Sequence, residues 1–270
     1  MNTKKDKSTP QTFTNGKFPD FLISGFQKCA TSALSINLNN HEKIRVARTD
    51  HPNCRVSSGK EFNYFTSQVI AGNTSSGCET VDWYKSHFDS DSDMCQGECS
   101  PSYSYYPGDV CSNIKRLHAG VYTKFIFSIR NPIYRTYSSY NHWLQEPYNF
   151  PDSLLDPNLS FLENIMNCSS ILLSYSNTIN EFIKNFGRDR IHIVIQERLE
   201  ESPNSEYNKI FKFLGLGKKL IDNKSVHSRE KKRELSTEEK TFLKGYFRDE
   251  VMYCKELLND PLSEWKEFSL

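Results

Sequence analysis

The sequence predicts an α/β protein: a three-layer sandwich with a central parallel β-sheet flanked by helices on both faces. Three observations carry this. The runs "FLISG", "KFIFSI" and "IHIVI" are short, continuous and apolar, the pattern of strands buried on both faces rather than one. Each is followed by a stretch with helical spacing of apolar residues, and strand–helix alternation is the signature of parallel sheets with helical crossovers. No segment repeats at a fixed period, so solenoids and propellers are excluded.

Taken in order, residues 1–17 are polar and read as a flexible leader, and residues 18–270 as a single domain. "PDFLISG" is the first strand, closed by Gly25, and "ATSALSINLNNH" is the helix that follows, with Ala33, Leu34, Ile36 and Leu38 as its apolar contacts. "RTDHPNCRVSSG" is rich in turn formers and reads as a surface loop leading to "KEFNYF". "WYKSHF" is helical, "MCQGECSPSYSYYPGD" a short strand breaking into a Pro- and Tyr-rich turn, and "DVCSNIKRLH" a helix. The strand "KFIFSI" ends in "RNP", where proline suits the first turn of the helix "IYRTYSSYNHWL". Helical segments at 159–166 and 171–186 precede the strand "IHIVIQE" and the helix "NSEYNKIFKFLGL". A charged stretch at 231–233 leads into one last helix, 237–258.

Composition narrows the function. With 270 residues, a net charge of +1 and 37% hydrophobic residues, the chain has the make-up of a soluble globular protein. It has no global field to concentrate it on nucleic acid, and any anion site must be local. No apolar run approaches the roughly 20 residues that span a bilayer. The start lacks the features of a signal peptide, so a cytoplasmic location is expected, or a Golgi lumen if the chain is trimmed from a longer, anchored one. Among the eight cysteines the spacing C-x3-C-x11-C, without a histidine at ligand spacing, argues against zinc, and reduced thiols are the expectation.

Two segments carry chemistry. In "GFQKCATS" a strand ends in glycine and turns at once into a helix, exposing backbone N–H groups where the helix dipole favours an anion. Lys28 adds a full charge, and the hydroxyls of Thr31 and Ser32 can donate to phosphate oxygens. The alternative is a tight strand–helix turn with a surface lysine and a capping threonine. The triphosphate motif G-x4-G-K-[ST] is not met, which argues against an ordinary magnesium-dependent kinase. In "RNPIYRTYSSY", Arg130 at a strand end and Ser138 about two helical turns on can converge on one phosphate, with Arg135 adding charge; the alternative for Arg130 is a salt bridge at the strand end.

Together these segments resemble the 5′-phosphosulfate loop and the 3′-phosphate strand and helix of sulfotransferases that use 3′-phosphoadenosine 5′-phosphosulfate. The likeness is to the branch with heparan and other carbohydrate sulfotransferases and bacterial relatives. "KEFNYF", "GECSPSY" and "VIQERLEESPNSEYNKIFKFLGL" are similar to that branch's K-E-x-x-F/Y-F, G-E-x-[ST]-P-x-Y and late strand–helix segments. The likeness runs from about Phe18 to Gly217 and implies a P-loop nucleotide-hydrolase-like fold. It implies a donor site made of Gly25, Gln27, Lys28, Cys29, Ala30, Thr31, Ser32 and Ala33, with Arg130 and Ser138 on the 3′-phosphate. Lys28 steadies the leaving oxygen. Glu61 takes the proton from the acceptor hydroxyl, with Lys60 beside it; a simple surface charge is the alternative for Glu61.

The family's K-G-R-x-H-P-like loop has no clean counterpart. In "NKSVHSREKKR", Lys224, His227 or Arg229 is expected to close over the donor, unless the run is only a solvated charged face. Tyr103, Tyr105, Tyr106, His142 and Trp143 are offered as acceptor-site walls, with ordinary packing as the alternative.

The expected reaction is in-line sulfuryl transfer to a hydroxyl of a small molecule or carbohydrate, leaving 3′,5′-adenosine bisphosphate and requiring no metal. No nucleic-acid partner and no membrane segment are expected, and a homodimer is compatible with the sequence. A nucleoside or nucleotide kinase on the same fold, or a catalytically silent nucleotide-binding module, are the competing readings.

Overall fold

The apolar runs pair into one sheet in the computed structural model, which describes residues 16–48, 61–66, 80–117, 121–145, 155–222 and 233–269. Five strands, Phe21–Gly25 (β1), Ile44–Val46 (β2), Cys95–Cys99 (β3), Lys124–Ile129 (β4) and Ile191–Ile195 (β5), lie in the order β2-β3-β1-β4-β5. Every neighbouring pair is parallel. The helices are Thr31–Leu38 (α1), Val81–Lys85 (α2), Pro107–Arg116 (α3), Pro132–Gln145 (α4), Phe161–Asn167 (α5), Tyr175–Phe186 (α6), Gln196–Glu201 (α7), Pro203–Leu214 (α8), Thr237–Tyr246 (α9) and Arg248–Leu258 (α10).

Alternation along the strands builds both outer layers. Phe21 and Ile23 of β1 and Ile126 of β4 pack with Leu34 and Leu38 of α1 and with Tyr207, Ile210 and Phe211 of α8. Leu22 of β1 and Phe125, Phe127 and Ile129 of β4 face the opposite way, onto α3, α6 and α10 through Val110, Ile179, Phe182 and Val251. A third cluster joins Ile133, Tyr140 and Trp143 of α4 to α5 and α9. Where β3 passes β1, Gly97 pairs with Phe21. A Cβ on Gly97 would lie 2.6 Å from the Phe21 ring, so only glycine lets that ring cross the sheet surface there.

Several element boundaries differ from the sequence reading. β2 was not foreseen; it has three residues, and its middle one, Arg45, is exposed, so it shows no apolar run. The strand read through Glu197 stops at Ile195, and Gln196 begins α7. The single last helix is two, broken at Phe247, whose φ and ψ of −92° and 10° lie outside the helical region. Gly16 and Lys17, expected to close the leader, are bonded to the folded chain: Gly16 bridges Asp89, and the Lys17 N–H donates to the Phe88 carbonyl at 2.9 Å. The six described cysteines, Cys29, Cys95, Cys99, Cys111, Cys168 and Cys254, form no disulfides. No helix among the described residues is long and apolar enough to cross a membrane.

Candidate functional site

β1 and β4 are adjacent and parallel, so their C-terminal ends open on the same edge of the sheet. The chain leaves β1 toward the β2 and β3 side and leaves β4 toward β5. The strand order therefore reverses between them, the position where open α/β sheets bind ligands.

The link from β1 to α1 is short and tightly held. Lys28 and Ala30 both adopt left-handed backbone, with φ of 68° and 57°. Each costs a non-glycine residue roughly 1–2 kcal/mol, so surrounding bonds must impose the shape. Ser128 of β4 does so twice: its carbonyl accepts from the Phe26 N–H at 2.9 Å, and its buried hydroxyl donates to the Cys29 carbonyl at 2.7 Å. The Gln27 side-chain oxygen accepts from the Tyr105 hydroxyl at 2.8 Å, and the Gln27 carbonyl accepts from Arg135 Nε at 3.3 Å. Ala30 caps α1 without any side-chain hydrogen bond. A turn of this kind at an uncapped helix start is a concavity of backbone donors suited to an anion. Thr31 is buried, while Lys28, Ser32 and Ala33 are partly buried. The Cys29 thiol is pushed up to about 11, first by burial, and serves as neutral packing against the Tyr175 hydroxyl 3.8 Å away.

Arg135 underlies this loop. It is fully buried and donates to three neutral acceptors: the Gln27 carbonyl, the Ile171 carbonyl at 2.5 Å and the Tyr105 hydroxyl at 3.1 Å. Among the described residues no carboxylate pairs with it. A buried cation without a counter-charge is costly, and an anion in the loop above would offset that cost. Ser138 and His142 lie three and seven residues beyond Arg135 on α4, which puts all three on one face of the helix. Arg130 closes β4. Its backbone is clasped by Tyr175, whose hydroxyl donates to the Arg130 carbonyl at 2.8 Å. Among the described residues its guanidinium makes no hydrogen bond or ion pair.

Glu61 lies in an irregular segment, 61–66, anchored by the buried side chains of Phe62, Tyr64 and Phe65. Tyr64 stacks on Tyr84 of α2 with ring centroids 4.1 Å apart and 7° between planes. Glu61 is partly buried, and its charge acts on a second carboxylate that the sequence reading passed over, Glu98 of β3. Glu98 is fully buried. It receives the hydroxyls of Ser100 at 2.6 Å, Tyr103 at 2.7 Å and Tyr84 at 3.2 Å. Burial raises its pKa to about 7, with Glu61 adding to the rise and the three hydroxyls opposing it. A glutamate between Gly97 and Cys99 inside the short strand read from "MCQGEC" was the signal available.

Two expected acceptor-wall residues are corrected. Tyr103 is fully buried with its hydroxyl committed to Glu98, and Trp143 is 1% exposed within the third core cluster, so neither presents a surface to an acceptor. Tyr105 supports the loop through Gln27 and Arg135. His142 is partly buried. Lys60, Lys224, His227 and Arg229 lie outside the described residues.

The chain is 24% identical over 208 residues to the mouse heparan sulfate glucosamine 3-O-sulfotransferase 5, covering 74% of this chain and 54% of the relative. The human protein of the same name is 23% identical over the same length. The chain thus spans about half the length of the curated relatives it matches. The crystal structure of a sulfotransferase from Alicyclobacillus acidocaldarius superposes with a TM-score of 0.70 at 22% identity, covering 92% of this chain and 98% of that one, which shows the same fold. The sulfotransferase domain family model matches residues 18–252, nearly the whole of the described sheet and its helices, and the chain belongs to that family.

Proposed function

We propose that the chain transfers a sulfuryl group from 3′-phosphoadenosine 5′-phosphosulfate to a hydroxyl of a small-molecule or carbohydrate acceptor. One observation carries the donor assignment: at the switch point, the uncapped β1–α1 loop and Arg130 stand at neighbouring strand ends, with the buried Arg135 beneath the loop and no carboxylate paired to either arginine among the described residues. Two cationic positions beyond adjacent strand ends, Lys28 after β1 and Arg130 after β4, fit a nucleotide with phosphates at both its 5′ and 3′ ends. They fit a triphosphate less well, because its phosphates lie in one row and the sequence lacks the second glycine of the triphosphate loop.

When bound, that nucleotide supplies an activated sulfuryl group on a phosphate oxygen. In this reading the backbone donors at the start of α1, with the hydroxyls of Thr31 and Ser32, hold the 5′-phosphate, and Arg130 and Ser138 hold the 3′-phosphate. Lys28 opposes the negative charge that grows on the departing phosphate oxygen. Glu61 accepts the acceptor hydroxyl's proton as the new sulfur–oxygen bond forms, and a carboxylate suffices because proton loss can lag behind transfer. The near-neutral chain favours a small hydroxylated metabolite or a neutral sugar over a long polyanion.

The test is transfer from labelled donor to a panel of hydroxylated acceptors, read by mass. The native chain is expected to sulfate at least one class. Lys28→Ala is expected to lose turnover by more than about a hundredfold while keeping most of its affinity for the bisphosphate product. Near-normal turnover in that variant would overturn the role of Lys28.

A further inference from the structure

The three donors around Glu98 do more than satisfy a buried carboxylate. An ionised carboxylate only accepts, so each of the three hydroxyl hydrogens must point toward it. That leaves hydroxyl lone pairs facing outward, and two of them meet the segment that carries Glu61. The Asn63 N–H donates to Ser100 Oγ at 2.9 Å, and the Phe65 N–H donates to the Tyr103 hydroxyl at 3.4 Å. Two relays therefore run from backbone to carboxylate: Asn63 to Ser100 to Glu98 Oε2, and Phe65 to Tyr103 to Glu98 Oε1. Asn63 needs such a hold, since its φ is 52°. Chains of this kind polarise one another, and in a buried setting each bond is stronger than in water.

We propose that Glu98 is a positioning residue for Glu61: through Ser100 and Tyr103 it fixes segment 61–66, and so the place and direction of the carboxylate that accepts the acceptor's proton. Protonating Glu98 makes one of its oxygens a donor, and one of the three hydroxyls must turn away. Among the described residues, the groups facing it are Ser100 and Tyr103 beyond the end of β3, Tyr84 on α2 and Glu61 itself. The relays thus hold best when Glu98 is ionised, and transfer rises with pH as it loses its proton.

This rests on the role proposed for Glu61, and the experiment separates the two. Hydrogen exchange and donor-to-acceptor transfer are measured on the native chain, Glu98→Gln and Ser100→Ala. Glu98→Gln is expected to exchange the Asn63 and Phe65 amides at least about tenfold faster, with β1 and β4 amides unchanged. Its kcat is expected to fall at least about tenfold, with bisphosphate affinity within about twofold, and the acid limb of its pH–rate profile is expected to move. Ser100→Ala, which cuts one relay without touching the carboxylate, is expected to loosen Asn63 alone and lower kcat by a smaller factor. Unchanged protection of both amides in both variants overturns the proposal, as does loss of protection spread evenly over the sheet. If Glu61→Gln leaves transfer intact while Glu98→Gln frees the two amides, the role of Glu61 fails and the anchoring of its segment stands.

Discussion

Replacing Ser128 with alanine tests the loop without touching any atom that would meet a ligand. The Ser128 hydroxyl is buried and donates to the Cys29 carbonyl at 2.7 Å; alanine leaves that carbonyl unsatisfied and opens almost no cavity. An abandoned buried acceptor costs about 1–3 kcal/mol. The backbone strain at Lys28 and Ala30 is of similar size, roughly 1–2 kcal/mol each, so losing one restraint lets the loop relax out of its left-handed turns. A ligand that needs those turns must then re-form them at its own cost. Its affinity falls by up to the same 1–3 kcal/mol, about fivefold to about 150-fold. Denaturant unfolding and calorimetry of adenosine 3′,5′-bisphosphate binding should therefore show parallel losses. A variant destabilised by this amount that binds the bisphosphate as the native chain does would refute the idea that the loop's shape is its binding device.

Two further outcomes follow from the packing and the buried charge. Gly97→Ala places a Cβ 2.6 Å from the Phe21 ring, and overpacking of this kind costs about 1–3 kcal/mol, visible as a lower denaturant midpoint; an unchanged midpoint would show that the ring moves aside freely. The Glu98 carboxyl is raised by burial from 4.5 to about 7, so the folded chain holds a proton there that the unfolded chain has lost. This group's contribution to folding stability should therefore fall by about 3 kcal/mol as pH rises from about 4.5 to about 7, and that dependence should be lost in Glu98→Gln. Asp260 and Glu264 act in the opposite sense. Arg198 holds both below the ordinary carboxylate range, and the stability they lend is present above that range and lost as pH drops through it. Burial lowers the His192 imidazole to about 4, so its contribution rises over nearly the same pH range and opposes that of Glu98. The Glu98 charge state is therefore read from the difference in stability between the native chain and Glu98→Gln, which should shift against the native chain as pH rises from about 4.5 to about 7; a difference that does not change with pH would contradict it.

The sheet was legible because three of its strands are buried on both faces and so read as unbroken apolar runs. β2 escaped notice for the reverse reason: it is three residues long at the sheet edge, with the exposed Arg45 interrupting any apolar run. The break at Phe247 left no mark either, since apolar residues keep helical spacing on both sides of it. The two segments proposed to hold the donor's phosphates were visible as glycine, lysine, hydroxyl and arginine placed at strand ends. What one dimension could not carry was support. Ser128 looks like any polar residue in a strand, and only the pairing of β4 with β1 puts it under Cys29. Glu98 is a carboxylate whose meaning depends on Ser100, Tyr103 and Tyr84 folding around it. Tyr103 was misread for the same reason, because an aromatic in a Pro- and Tyr-rich turn gives no sign of which ring faces inward.

The donor assignment meets its most direct test in calorimetry comparing adenosine 3′,5′-bisphosphate, adenosine 5′-monophosphate and magnesium ATP, on the native chain and on Arg130→Ala. The 3′,5′-bisphosphate should bind at least about tenfold more tightly than either of the others, since a charge-assisted phosphate contact is worth about 1.5–3 kcal/mol. Arg130→Ala should erase that advantage and leave the monophosphate nearly unaffected. Equal affinity for the bisphosphate and the monophosphate in the native chain, or tighter binding of magnesium ATP, would contradict the account.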